Sequence, residues 1–350
     1  MEQPDLKDRQ VWTDEQWDQQ LASQGEASFF HTRRWARIVL ASFPNLRDAS
    51  VWLDSERGPI LFPLYAWRRA GGLLTTYHSS FPFLYGGPIP GFLRENVPLL
   101  HALVIRLGRP LSSMHLVGNP LLGERPASPA LRGFRVTRDH THWLDLPESE
   151  DSYWSSLTTA KRNDVRRLGK KGVVIEESRE PVDIDAVYQL YLGSFRRWGG
   201  PPRFTYPLEF YRNLVAMGGE AVRLTVARRE GRILGGTFTV RWNQVAHYLA
   251  GYFDHESRAL RPNVLIQVDS ILSAIRDEFR CYDFLPSGGH ASVETFKESF
   301  GGVRREFEIQ HRVGLGHRLL RARRPVREVS VHPEAGHADP GALSAERDDL

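Results

Sequence analysis

At 350 residues the chain has room for two domains or one large one, each with a full hydrophobic core. Apolar residues at 41%, charged residues at 25% and aromatics at 11% exclude a chain that is disordered, collagen-like or of low complexity throughout. The net charge of +4 is too small a surplus to mark a nucleic-acid binder by itself, and GC-rich codon usage explains the arginine excess as readily as a demand for bidentate donors.

Residues 1–27 are polar, with Trp12 and Trp17 as their large apolar anchors, and predict a short leading helix or arm. Ala49–Leu53 and Pro59–Trp67 read as a hairpin, Leu73–His78 as a third strand, Val97–Leu107 as a helix, and Met114–Val117 and Phe134–Leu146 as strands, with a helical turn at Ser128–Arg132. A cationic helix follows from near Ser152 to Val173, with Trp154, Leu157, Val165 and Leu168 on its apolar stripe. Val173–Glu176 predicts a strand, and Ile184–Trp198 and Pro207–Met217 two helices.

Ala221–Arg229 and Arg232–Arg241 alternate about Glu230-Gly231 as a hairpin, and Val245–Phe253 adds a third strand. Pro262 opens a helix, Cys281–Leu285 is a short buried strand, and Ser292–Phe300 and Val303–Val313 are a helix and a strand. The element order of the second half repeats that of the first, which predicts two copies of one α/β unit. The expected boundaries are an arm at 1–27, a first domain at 28–148, a second at 149–315 and a basic, then disordered tail at 316–350.

Cys281, the single cysteine, excludes an intrachain disulfide and a zinc site built on several cysteines. His140 and His142 are too few for a metal site, and no metal is expected. No apolar run reaches the roughly 18–20 residues that span a bilayer, and the start has no signal-peptide core, so the expected location is the cytoplasm.

On the cationic helix, Arg162 and Arg166 lie one turn apart and are placed to grip a phosphate together, although a solvated face explains such a charge run as well.

The segments SFFHTRRW at Ser28–Trp35, LYGGP at Leu84–Pro88, YWSSLTTAKRNDVRRLGKKGV at Tyr153–Val173, RILGGTFTVR, HYLAGY, RPNVLIQ at Arg261–Gln267 and YDFLPSGG…VETFKESFGG at Tyr282–Gly302 together resemble the GNAT acyltransferase superfamily, in its two-domain Fem-like branch. The resemblance implies an α/β fold of two tandem GNAT-like domains, each a mixed, mostly antiparallel sheet flanked by helices, the second being catalytic. It implies an acyltransferase in which acyl-CoA, such as acetyl-CoA, gives its acyl group directly to a primary amine. The acceptor is then a small molecule or a peptide. An alternative is an aminoacyltransferase that uses aminoacyl-tRNA on a peptidoglycan precursor or peptide amine; a third is a noncatalytic binding protein.

In such folds the donor lies between two strands that splay apart, here Val245–Phe253 and Cys281–Leu285. That gap would be lined by His247, Tyr248, Tyr252, Tyr282 and Asp283, with Asp283 as base or ammonium clamp, or else as a structural carboxylate accepting from the glycine-rich loop that follows, and Tyr248 or Tyr252 as the acid for the leaving group. Arg258, Arg261 and Asn263 stand where a glycine-rich turn would hold a pyrophosphate, and Lys297 matches the lysine after the Gly-rich loop. The glycines of that turn are missing and Pro262 removes one amide donor, so pyrophosphate binding there departs from the family pattern.

Overall fold

The computed structural model describes residues 12–315 apart from 54, 56–57, 70–72, 82–83, 92–95, 109–110, 123–129, 198–199 and 202–203. The expected tail at 316–350 and the first two residues of the helical turn expected at Ser128–Arg132 therefore lie outside the described residues, and of its other three only Arg132 is in a turn. Two compact units divide the chain, one made of residues up to 140 together with 306–315, the other of 141–305.

The first unit begins with helix α1 (Asp14–Ala22), whose Thr13 hydroxyl and Gln16 side chain form a capping box. Trp17 and Leu21 from its buried stripe pack with Trp52, Leu61 and Ile89. Helix α2 (Arg33–Ser42) buries Trp35, Ile38 and Val39, and Arg33 is tolerated in the interior because Asp14 and Asp48 accept from it at 3.0 and 2.6 Å.

Strands β1 (Leu46–Asp48), β2 (Val51–Leu53), β3 (Ile60–Phe62), β4 (Tyr65–Arg69), β5 (Leu74–His78) and β6 (Ser113–Val117) follow, with helix α3 (Val97–Leu107) between the last two. β2 and β3 form a separate hairpin, and β4 pairs with β1. The hairpin expected from Ala49 to Trp67 is thus split between two sheets, because the extended stretch breaks at Pro63-Leu64.

β7 (Arg135–Asp145) carries the chain into the second unit. There follow α4 (Glu150–Ser156), α5 (Thr159–Gly169), β8 (Val174–Ser178), α6 (Pro181–Arg197), α7 (Leu208–Gly218), β9 (Val222–Arg229), β10 (Arg232–Trp242), β11 (Val245–Phe253), α8 (Pro262–Arg276), β12 (Cys281–Pro286), α9 (Ala291–Glu298) and β13 (Val303–Arg312). The sheet of this unit runs β7-β12-β11-β10-β9-β8.

Glu230-Gly231 and Asn243-Gln244 turn the two hairpins with positive φ at both central residues, the geometry that suits the strand twist. Consecutive glycines of β10 locate the layers. A Cβ at Gly236 would meet Val187 of α6, and one at Gly235 would meet Ile266 of α8, so these helices cover opposite faces.

Two expectations need correction. The single helix expected from near Ser152 is two, because Leu157 and Thr158 are extended and the Thr158 side chain caps α5 by accepting from Lys161 N. The last strand does not stay with the second unit. Ile309–Arg312 pairs with Met114–Val117 of β6, while Thr141–Asp145 of β7 pairs with β12, so each unit is closed by a strand from the other half of the sequence.

Candidate active site

β11 and β12 run parallel for three rungs, Val245↔Cys281, Ala246↔Tyr282 and His247↔Asp283, and then part. β11 continues to Phe253, whereas β12 swings away at Leu285, which is in the left-handed region at φ 57°. The first unit repeats the three-rung parallel pair at Thr76↔Ser113, Tyr77↔Met114 and His78↔His115, but there Ser79 zips the next step shut. Its N–H donates to His115 O at 3.1 Å and its hydroxyl accepts from Val117 N at 2.8 Å. The gap remains open in the second unit.

A cleft fills that gap. Thr237, Tyr248, Gly251, Tyr252 and Phe253 form one wall, Asn263 and Ile266 at the start of α8 the back, and Phe284, Val293, Phe296 and Lys297 the other wall. Of the residues expected from sequence, Tyr248, Tyr252, Asn263 and Lys297 are brought together here.

Tyr248 reaches across Gly251, where a Cβ would collide with its hydroxyl and stand 3.0 Å from Thr237 Oγ1. A glycine inside a strand is the sequence signal for such a close approach. Burial pushes the Tyr248 phenol well above its ordinary value, so it stays protonated at neutral pH. Tyr252 turns its hydroxyl away to Tyr211 Oη at 2.6 Å, beside Tyr191, and burial raises it also. Only the Tyr248 hydroxyl sits over the cleft glycine.

Asp283 is not in the cleft wall. It is wholly buried at the root of the gap, on the strand face opposite Tyr282 and Phe284. Oδ1 accepts from Thr141 Oγ1 at 2.5 Å and from Leu285 N at 3.1 Å, and Oδ2 meets His247 Nδ1 at 2.8 Å. Thr141 was not expected at the site; its strand alternation gave no hint that β7 would pair with β12.

Lys297, 1% exposed, donates to Leu285 O at 2.6 Å and to Ser287 Oγ at 2.8 Å. A buried carboxylate and a buried ammonium thus hold the N–H and the carbonyl of Leu285, the left-handed residue at which β12 turns out of the ladder.

The cationic helix departs most from expectation. Arg162 does not pair with Arg166 to hold a phosphate. Its Nη1 donates to the carbonyls of Trp154, Ser155 and Leu157 at 3.1, 3.2 and 2.5 Å, closing the C-terminus of α4. Arg166 is exposed on α5.

Lys161 lies 4.2 Å from the Phe300 ring centre and donates to Ser299 Oγ at 2.8 Å. Burial, and then the nearby Arg261 charge, lower its ammonium to about 8. Arg261 adopts a left-handed conformation at φ 43°, pairs with Asp164, and precedes Pro262 at the first turn of α8. Arg258 is exposed on the preceding turn, and Lys171 donates to Ala259 O at 2.8 Å. The start of α8 is therefore ringed by cations, without a glycine turn.

Among the described residues, no three His, Cys, Asp or Glu side chains gather as a metal ion would need, and no helix is long and apolar enough to cross a membrane.

Residues 156–298 match the family described as acetyltransferase (GNAT) domain. Among curated proteins none matches the sequence. The fold is similar to that of FemX, with a TM-score of 0.61 at 13% identity over 89% of this chain and 98% of that one. It is also similar to a conserved protein of unknown function from Bacteroides thetaiotaomicron, TM-score 0.53 at 12% identity over 88% and 99% of the two chains. A third similar structure is the C-terminal domain of an Agrobacterium fabrum protein described as a lysylphosphatidylglycerol synthetase, TM-score 0.53 at 13% identity over 83% and 94%. At these identities the likeness concerns the fold.

Proposed function

We propose, from the match of residues 156–298 to the acetyltransferase (GNAT) domain, that the chain is an N-acyltransferase passing an acyl group from acyl-CoA to a primary amine within the β11/β12 cleft. The observation that carries this reading is the parting of the two strands after His247↔Asp283, which leaves the β11 edge beyond that rung without a β12 partner.

The amine nitrogen attacks the thioester carbonyl, the carbon–nitrogen bond forms, and negative charge collects on the carbonyl oxygen. Backbone N–H groups on the open edge of β11 are the proposed donors to that oxygen. The bulge at Phe238/Thr239 supports this, since it leaves Leu249 outside the β10 register and turns the strand locally. As the carbon–sulfur bond breaks, the thiolate takes the proton of the Tyr248 phenol, which burial keeps protonated until then.

Asp283 is assigned as a positioning residue. Together with Lys297 it holds the Leu285 peptide and so keeps β12 away from β11. Asn263, Arg258 and Arg261 are proposed to meet the donor phosphates at the start of α8, with Arg166 farther out on α5.

The second reading, an aminoacyltransferase drawing on aminoacyl-tRNA, gains from Pro262 and left-handed Arg261. They leave little backbone to cradle a pyrophosphate, while the exposed cations of α5 suit a longer polyanion. Thermal-shift titration decides between them. Acyl-CoA or CoA should raise the melting temperature by mass action, about 2.7 kcal/mol of stabilisation at a hundredfold excess over Kd. A shift with aminoacyl-tRNA and none with CoA at millimolar concentration would transfer the assignment to the second reading.

A further inference from the structure

The first unit exposes four large apolar side chains among the described residues, and three of them, Ile105, Leu111 and Leu315, stand at one corner. Their exposures are 77%, 40% and 57%. Ile105 is on the last turn of α3, and the chain returns to that turn at the end of β13, where Arg312 Nη2 donates to Gly108 O at 3.2 Å. Gly314 is pressed against the Leu111–Ser112 backbone, where a Cβ would collide, and its N–H donates to Ser113 Oγ at 3.1 Å. Leu111 and Leu315 therefore flank one close backbone contact.

Apolar side chains scattered singly over a surface are ordinary, but a gathered set marks a contact. This set has cations beside it. Arg106 is exposed next to Ile105, and Arg312 is half-buried across the end of α3. The sequence beyond Leu315 reads GHRLLRARRPVR, five arginines between 318 and 327 with Leu319 and Leu320 among them and no acidic residue before Glu328. Those five charges exceed the chain's whole surplus of +4, so the remainder of the molecule is close to neutral. The arginine-rich sequence begins where the apolar corner ends.

We propose that this corner docks on an anionic lipid surface, with Ile105, Leu111 and Leu315 entering the headgroup layer while the arginines of 318–327 meet its negative charge. The inference stands apart from the acyl-transfer reading. A nucleic acid would take up the arginines and leave the aliphatic side chains in water, whereas a bilayer interface accepts both. Each arginine near such a surface multiplies partitioning by about fivefold, and each aliphatic side chain taken from water adds a factor of similar size, so the removal of either set is measurable. Attachment of this kind is peripheral and reversible, and it falls as salt screens the charge.

The test sediments the full chain with sucrose-loaded vesicles, either equimolar phosphatidylglycerol and phosphatidylcholine or phosphatidylcholine alone. The proposal predicts binding to the anionic vesicles that weakens about tenfold or more between about 0.1 and 0.5 M salt, with little on the neutral ones. Ile105→Ser/Leu111→Ser/Leu315→Ser should weaken it by about tenfold or more, and Arg321→Gln/Arg323→Gln/Arg324→Gln by about a hundredfold. The three aliphatic side chains are exposed, so the serine variant should melt as the wild type does; Leu315→Ser alone, expected to cost about threefold, takes its place should it misfold. A wild type that ignores anionic vesicles, or a serine variant that sediments as well as the wild type, overturns the proposal. Preference for a single-stranded RNA probe over the vesicles overturns it too, as does a lipid-free dimer that the serine variant abolishes. None of these outcomes measures amide formation, so the acyl-transfer reading stands or falls separately.

Discussion

Replacing Asp283 with Asn separates a base from a positioning residue, because the two roles move different observables. The carboxylate accepts from Thr141 Oγ1 at 2.5 Å and Leu285 N at 3.1 Å and meets His247 Nδ1 at 2.8 Å, without exposure to solvent. Hydrogen bonds to a charged group contribute about 1.5–3 kcal/mol each and neutral ones about 0.5–1.5, so neutralising the acceptor weakens each bond by about 1 kcal/mol. The new amide also points N–H groups at His247 Nδ1, which must then accept. The expected loss is about 2–3 kcal/mol, or about 5–10 °C in melting temperature for a domain of this size. Below the transition, turnover should fall by less than about tenfold, since Asp283 is buried outside the cleft wall; a catalytic base would cost about 10²–10⁴ in kcat. Differential scanning calorimetry and initial rates on the same preparation supply both readings. An unchanged melting temperature with a hundredfold loss of kcat would refute the positioning role.

Tyr248→Phe should lower kcat by about 10²-fold with donor affinity kept, whereas Tyr252→Phe should cost about 1 kcal/mol of stability and little turnover, its hydroxyl being given to Tyr211; steady-state rates and urea melts distinguish the pair. Gly251→Ala should inactivate by displacing the Tyr248 hydroxyl, and adding Tyr248→Phe should restore the melting temperature but not the rate, a coupling read from the double-mutant cycle. Lys161 holds its proton less tightly folded than unfolded, at about 8 against an ordinary 10.5, so unfolding takes up a proton across that interval and stability rises with pH through it. Urea midpoints at pH 7 and 10 should show that rise in the wild type and a smaller one in Lys161→Met. Arg162→Ala should lower the melting temperature through the freed α4 carbonyls and leave CoA affinity untouched, as calorimetric titration would register.

Strand alternation and turn chemistry made the second unit readable from β9 to α9. Glu230-Gly231 and Pro262 mark chain reversals and a helix start that local backbone preference dictates by itself. The cleft's lining was legible as far as it depends on residues near in sequence, and Tyr248, Tyr252, Asn263 and Lys297 do line it. Asp283 was placed on the right strand and given the wrong surroundings. Its partners Thr141 and His247 arrive from strands 142 and 36 residues away, and nothing local encodes that meeting. Arg162 failed for the opposite reason. It stands one turn from Arg166 on α5 as expected, but the break at Leu157-Thr158 leaves the last carbonyls of α4 open beside it, and the guanidinium turns inward to them.

The trade of closing strands bears on how the polypeptide can be made and cut. During synthesis the earlier sheet lacks its final rung until Ile309–Arg312 has left the ribosome, so an exposed β6 edge persists for most of translation and calls for shielding. A gene divided near codon 148 would strand the Thr141–Asp145 end of β7 on the fragment that does not use it, leaving both products with open edges prone to clumping. Co-expressed pieces severed instead within an outlying loop would retain each strand beside its rightful neighbour.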